Sequence, residues 1–156
     1  DFNRKILMKL IHESELEFIT LFDCNTYVYV WKKNPIASKS SVSLQELEKY
    51  PCLTFDQGKT NSFYFAEEVF STYEYKQTIQ VDDRASMLNL MVGLNGYTLC
   101  SGIICEELNG SDYAAVPLKE TEVMTIGYVK RKSIQLSELA QLYVNELAKY
   151  KNLVLK

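Results

Sequence analysis

Apolar positions change their period several times along this chain, and each change marks an element. Ile6, Leu7, Leu10 and Ile11 recur at helical spacing between Asn3 and His12, which predicts an opening helix. Two strands are expected next, Leu16 to Phe22 and Thr26 to Trp31. The second, "TYVYVW", is almost wholly β-branched or aromatic, as strands favour. The polar, proline-containing "KKNPIASKSS" reads as a loop and as the boundary between two lobes. Ser43 followed by Glu46 has the form of a capping box, so a short helix over Leu44 to Tyr50 is expected, stopped by Pro51.

A regular alternation follows. Strand Cys52 to Phe55 leads to helix Ser62 to Ser71, strand Thr78 to Val81 to helix Ala85 to Gly93, and Tyr97 to Cys100 is a third strand. Asp83, or Asp82 beside it, would cap the second of these helices, and Gly93 would end it in a left-handed conformation. Strands alternating with helices of this length argue for βαβ units and a parallel sheet. A short helical piece after Gly102 precedes strands Tyr113 to Pro117 and Met124 to Lys130. A closing amphipathic helix, Ser137 to Tyr150, carries Leu139, Leu142, Tyr143 and Leu147 on one side, a stripe suited to packing on the sheet. The pattern is that of an α/β protein whose chain crosses between lobes near Lys33 and near Glu122.

Length and charge narrow the function. At 156 residues and 47% hydrophobic, the chain can bury one domain's core or that of two small lobes. Its 17 basic and 20 acidic residues leave a net charge of −3, which argues against direct binding of a nucleic-acid backbone. "DFNRKILMKLIHESELE" is too interrupted by charge for a signal peptide, and no window approaches the ~20 apolar residues of a membrane span. Cys24, Cys52, Cys100 and Cys105 form no CxxC pair and read as buried thiols in a reducing cytoplasm. With His12 as the single histidine, no metal site is expected. The start at Asp1 reads as a piece cut from a longer chain.

The chemistry is thin where motifs are concerned. Gly58-Lys59-Thr60, between a strand and a helix, looks like the end of a P-loop. That loop needs a glycine five residues before Gly58, where its backbone wraps phosphate, and Leu53 stands there instead. No GxSxG elbow exists, and His12 reads as a surface residue of the opening helix. The pairs Glu67-Glu68, Asp82-Asp83 and Glu106-Glu107 diverge by about 100° on a helix. "GLNGYTLCSG" is not a dinucleotide fingerprint. What remains is the loop Asp56 to Asn61, where Thr60, Asn61 and Ser62 bring hydroxyl and amide groups to a helix N-terminus that favours an anion, one of the three serving as its cap.

The order of these stretches resembles a known family. "VYVWKKNPIASKSSVSLQELEKYPCLTFDQG", Val28 to Gly58, is similar to the effector-binding domain of LysR-type transcriptional regulators: a hydrophobic strand, a His-Pro-Leu-Ala-like turn, a Ser-Leu-x-x-Leu helix and a Tyr-Pro strand. Here the turn is Asn34-Pro35-Ile36-Ala37, with asparagine at the histidine position. "VDDRASMLNLMVGLNGYTLCSG" and "MTIGYVKRKSIQLSELAQLYVNEL" resemble the family's later strand, helix and Gly-x-Gly turn, and its returning strand and terminal helix.

The resemblance implies a type 2 periplasmic-binding-protein-like fold of two α/β lobes, with residues 1–33 and 122–156 as an incomplete first lobe and 34–121 as the second. It implies no enzyme and no cofactor, but a cytoplasmic sensor that holds a small, anionic effector in the cleft and reaches DNA only through an N-terminal winged helix-turn-helix missing from this chain. Thr60 falls where a family hydroxyl contacts the effector; Gly58, Lys59, Asn61 and Ser62 flank it, and the loop Thr98 to Gly102, with Thr98 and Ser101, is a second contact region. An extracytoplasmic solute-binding protein of the same fold is the competing expectation, and an enzyme completed by the missing segment a third. A truncated first lobe would expose a sheet edge along Thr26 to Trp31 and Met124 to Lys130, so a dimer is expected.

Overall fold

The computed structural model describes residues 2–56, 70, 73–120 and 122–151. In chain order these form α1 (Phe2–Glu13), β1 (Leu16–Asn25), β2 (Tyr27–Trp31), a 3-10 turn (Pro35–Ser38), α2 (Leu44–Leu47), β3 (Cys52–Phe55), β4 (Thr78–Val81), α3 (Arg84–Gly93), β5 (Tyr97–Cys100), α4 (Glu106–Asn109), β6 (Tyr113–Pro117), β7 (Val123–Arg131) and α5 (Glu138–Ala148). They divide into two units: Asp1–Cys24 with Val123–Lys156, here unit 1, and Asn25–Glu122, unit 2. The expected helix Ser62 to Ser71 lies outside the described residues.

Unit 2 is built on a five-stranded sheet in the order β4-β3-β5-β2-β6. The expected parallel run is kept by β3, which pairs in parallel with β4 and β5. β2 runs antiparallel to both β5 and β6. The alternation in β2 then serves both faces. Val28 and Val30 pack with Ile36, Leu47 and Val116 on one side, and Tyr29 packs with Leu53, Met87 and Met91 on the other. Flanked on both sides, β2 is an interior strand and not the exposed edge expected for Thr26 to Trp31; its pairing also makes it part of unit 2, so the chain passes between units at residues 24–25 and again at 122–123.

Caps decide the helix starts. Ser43 and Glu46 form the full reciprocal box: Ser43 Oγ accepts from Glu46 N, and Glu46 accepts from Ser43 N at 2.9 Å. Asp83 accepts from Ser86 N at 2.8 Å and opens α3. The end of α3 differs from expectation. Gly93 keeps a negative φ within the helix, and the left-handed residue is Asn95, at φ 52°. Asparagine tolerates that region, and its carbonyl is held by Asn34, whose Nδ2 donates to Asn95 O at 2.9 Å. Asn34 Oδ1 accepts from Ile36 N and caps the 3-10 turn, so this side chain, 2% exposed, is bonded at both ends.

Unit 1 has a two-stranded sheet, β1 with β7. Gly127 is required on β7, because a Cβ there would meet Ile19 O at 2.3 Å and the Phe18 ring at 2.5 Å. Lys130 Nζ donates to Glu17 Oε1 across the pair. Ser137 caps α5 through Ala140 N. Of the stripe expected to pack on the sheet only Leu147 is half-buried: Leu139 is 78% exposed, Leu142 62% and Tyr143 66%. The half-buried positions are Ala140, Val144, Leu147 and Ala148, also at helical spacing but rotated about the axis. No residue of α5 is fully buried, and most of the bulkier stripe is exposed.

Candidate functional site

Three parallel strands carry their carboxyl ends to one edge of the unit 2 sheet, in the order β4, β3, β5. Ligands of open α/β sheets bind at such an edge, where chains leave strands for helices. Here β4 leads through Asp82 and Asp83 into α3, β3 ends at Phe55 and Asp56, and β5 ends at Cys100 and Ser101. Asp56 N donates to Val81 O at 2.8 Å, which fastens the exit of β3 to that of β4.

Gly58, Lys59, Thr60, Asn61 and Ser62 lie outside the described residues. The last described residues before them, Phe55 and Asp56, end β3, the strand next to β5. Of the second expected contact region, Thr98 is half-buried within β5, opposite Tyr29 in the β2 ladder. Ser101 sits just past the strand, half-buried, and its Oγ accepts from Ile103 N.

The turn that follows requires glycine. Gly102 adopts φ +79°, and a Cβ there would stand 2.6 Å from the Tyr27 ring. A side chain is excluded twice over, by backbone conformation and by the aromatic ring. Gly102 N also donates to Cys100 Sγ at 3.4 Å. Ser101 therefore precedes a turn that only glycine fits, packed over the Tyr27 ring.

The N-terminus of α3 is already engaged. Hydrogen bonds from Ser86 hold the Asp83 carboxyl below the usual carboxylate range, and an anion there would have to displace it. Among the described residues no group of three or more His, Cys, Asp or Glu could hold a metal ion.

Two residues matter that sequence reasoning did not single out. Tyr29 stacks on Tyr113 with ring centroids 5.3 Å apart, while its own hydroxyl is buried and has no hydrogen-bond partner among the described residues. Burial pushes that hydroxyl up to about 12, with the neighbouring Tyr113 and Cys100 adding to the rise. A tyrosine in a strand reads from sequence as filler, so nothing there could have flagged it. Thr26, 2% exposed, donates from Oγ1 to Glu122 O at 2.9 Å, and its own carbonyl accepts from Leu118 N. On the unit 1 side Cys24 Sγ donates to Met124 O. The two passages of the chain between units are thus tied together just before and just after each crossing. Their partners are about a hundred residues apart in sequence, which no local motif reports.

Comparison with known proteins places this geometry. No curated protein matches the sequence. Among solved structures, HinK, a LysR family transcriptional regulator from Pseudomonas aeruginosa, is similar with a TM-score of 0.62 at 18% identity, over 88% of this chain and 48% of that one. The effector binding domain of QuiR in complex with shikimate is similar with a TM-score of 0.57 at 16% identity, over 90% of this chain and 67% of that one. The BenM effector binding domain with its effector benzoate gives 0.58 at 17% identity, over 88% of this chain and 65% of that one. This chain spans about half the length of the full regulator HinK. The shared fold is the type 2 periplasmic-binding-protein-like α/β fold. HinK and CbnR are both named as LysR family transcriptional regulators. No helix among the described residues is long and apolar enough to cross a membrane. The family model described as the LysR substrate binding domain matches residues 6–151, nearly the whole chain, and the chain belongs to that family.

Proposed function

We propose that this chain is the effector-sensing part of a LysR-type transcriptional regulator, taking a small anionic metabolite at the carboxyl edge of the unit 2 sheet. The observation that carries the reading is the juxtaposition at that edge: the exit of β3, which leads into Gly58 to Ser62, lies beside the exit of β5, where Ser101 precedes a turn that only glycine fits, packed over Tyr27. Thr60 is the principal contact, with Gly58, Lys59, Asn61 and Ser62 supplying further donors around an anion, and Thr98 and Ser101 closing the site from β5. QuiR and BenM are shown with shikimate and with benzoate, both small carboxylates, which fits an anion here.

Binding does no chemistry on the ligand in this reading; it shifts the population of two arrangements of the regulator, and only to the extent that the ligand prefers one of them. DNA is contacted by a domain outside this chain, the protein works in the cytoplasm, and it self-associates as a dimer. A thermal-shift screen of small carboxylates, with shikimate and benzoate as the first probes, tests the site. A ligand at a hundred times its Kd stabilises by about 2.7 kcal/mol, a shift of several degrees. The expected result is a shift that Thr60→Ala and Ser101→Ala both reduce; an identical shift in both variants would remove the site from this edge.

A further inference from the structure

Tyr29 carries a hydroxyl that the fold buries and leaves unsatisfied. The residue is 8% exposed, and its oxygen has no hydrogen-bond partner among the described residues. A buried donor without an acceptor costs its lost hydration, and native structures seldom keep one. Phenylalanine would retain the ring, its burial beside Leu53, Met87 and Met91 and its stack on Tyr113, without that cost. The hydroxyl adds nothing to the fold that the ring does not already supply.

Its place is beside the candidate effector site. Tyr29 stands opposite Thr98 in the ladder between β2 and β5, and Cys100 stands opposite Tyr27, so Tyr29, Thr98 and Cys100 share one face of the sheet. Thr98 and Cys100 are only half-buried, which leaves that face partly open between Tyr29 and the end of β5. Three groups act electrostatically on the hydroxyl: the stacked Tyr113, Cys100 and Arg84. Cys100 is the last residue of β5 and Arg84 the first of α3, which sets the oxygen on the side of the carboxyl edge. Ser101 lies three residues beyond Thr98, roughly 10 Å along the strand, a gap that a tyrosine side chain and a six-membered ring together span. Burial pushes the hydroxyl up to about 12, so it remains a neutral donor at physiological pH. A carboxylate brought to so buried a place would lose its hydration, whereas a ligand hydroxyl or carbonyl oxygen would supply the missing bond.

We propose that Tyr29 is a specificity-determining contact of the effector site, donating its hydroxyl to a neutral oxygen at the end of the ligand remote from its carboxylate, so that the effector is a small hydroxy- or oxo-carboxylic acid. This rests on the effector site proposed above and names its ligand class. The test is isothermal titration calorimetry of the full 156-residue chain with two matched pairs of probes, 4-hydroxybenzoate against benzoate and shikimate against cyclohex-1-enecarboxylate. The oxygenated member of each pair should bind about tenfold or more tighter, the worth of one buried hydrogen bond. Tyr29→Phe should bring the two members to within about twofold of each other, by weakening the oxygenated one. Thr60→Ala should weaken both members alike and leave their ratio standing. Urea unfolding without ligand should find Tyr29→Phe at least as stable as the wild type. Equal affinities within both pairs, or a preference that survives Tyr29→Phe, would overturn the role of Tyr29 and leave the effector site standing. A loss of stability in ligand-free Tyr29→Phe would overturn that role as well, since the hydroxyl would then be bonded within the protein; failure of all four probes to bind would overturn both readings.

Discussion

Two units of one chain solve the burial problem to different degrees. Unit 2, with five strands and helices on its faces, owns fifteen of the eighteen buried apolar residues described, among them Val28, Val30, Leu47, Leu53 and Met91, all fully enclosed. Unit 1 owns ten of the thirteen large apolar side chains left exposed. The local ingredients are equally good in both: each has capped helices and strands rich in β-branched or aromatic residues. The difference is width. A strand paired on both sides can cover both its faces, whereas a two-stranded ribbon offers too little surface for a helix to bury a full apolar stripe and is marginal by itself.

The largest expected effect probes that contrast directly. Leu53→Ala, at a fully enclosed position, should cost about 2–5 kcal/mol in urea unfolding. Leu142→Ala in dilute solution should stay within about 0.5 kcal/mol. Equal costs would mean that unit 1 has a core of its own. Tyr29→Phe sharpens the picture within unit 2: removing a buried hydroxyl that lacks a described partner should be neutral or stabilise by about 1 kcal/mol, and a clear loss would reveal a bond to that oxygen.

The smallest effect is one of pH. Glu46 takes hydrogen bonds from Lys39, from Ser43 N and from Lys119, which hold its carboxyl well below the usual carboxylate range. A depressed carboxyl lends stability that is present above its unfolded value and is lost as pH falls through the folded one. The loss should therefore set in as pH drops below the ordinary carboxylate range and be complete only in strongly acidic solution, and it should be small, because the two lysines are exposed. Glu46→Gln lacks that stabilising carboxylate, so its acid unfolding followed by circular dichroism should begin at a slightly higher pH than that of the wild type, the two converging in strong acid; an unchanged acid limb would show that the cluster contributes nothing.

Much of unit 2 was legible in the sequence because its signals are local. Cys52–Phe55, Thr78–Val81, Tyr97–Cys100 and Tyr113–Pro117 announce themselves by short apolar runs between turn residues, and Ser43 with Glu46, and Asp83, announce their helices by capping chemistry. Neighbour relations were not legible. Nothing in "TYVYVW" says that it runs antiparallel between β5 and β6, because a period of two identifies a strand and not its partners. The end of α3 misled for a related reason. Gly93 is the residue free to turn left-handed, but Asn95 does so, because Asn34, sixty-one positions away, is placed to hold its carbonyl. At the candidate site, Thr98 and Ser101 could be placed at and just after a strand from the sequence, while the fit of Gly102 over a ring could not. It depends on Gly102 meeting a ring, Tyr27, from another strand.

The pairing of Asn34 with Asn95 also bears on how the protein ages in storage. Asparagine degrades when the next backbone nitrogen attacks its side-chain amide to close a succinimide ring. Asn34 precedes Pro35, whose nitrogen carries no hydrogen, so the bonding side chain is chemically protected in addition to being buried. Asn95 precedes Gly96, where no side chain shields the attacking nitrogen. The durable member of the pair is the one whose amide is indispensable; the vulnerable member contributes only its backbone carbonyl, and conversion to isoaspartate would carry the main chain through the former side chain and turn that carbonyl into a pendant carboxylate, just before the chain enters β5.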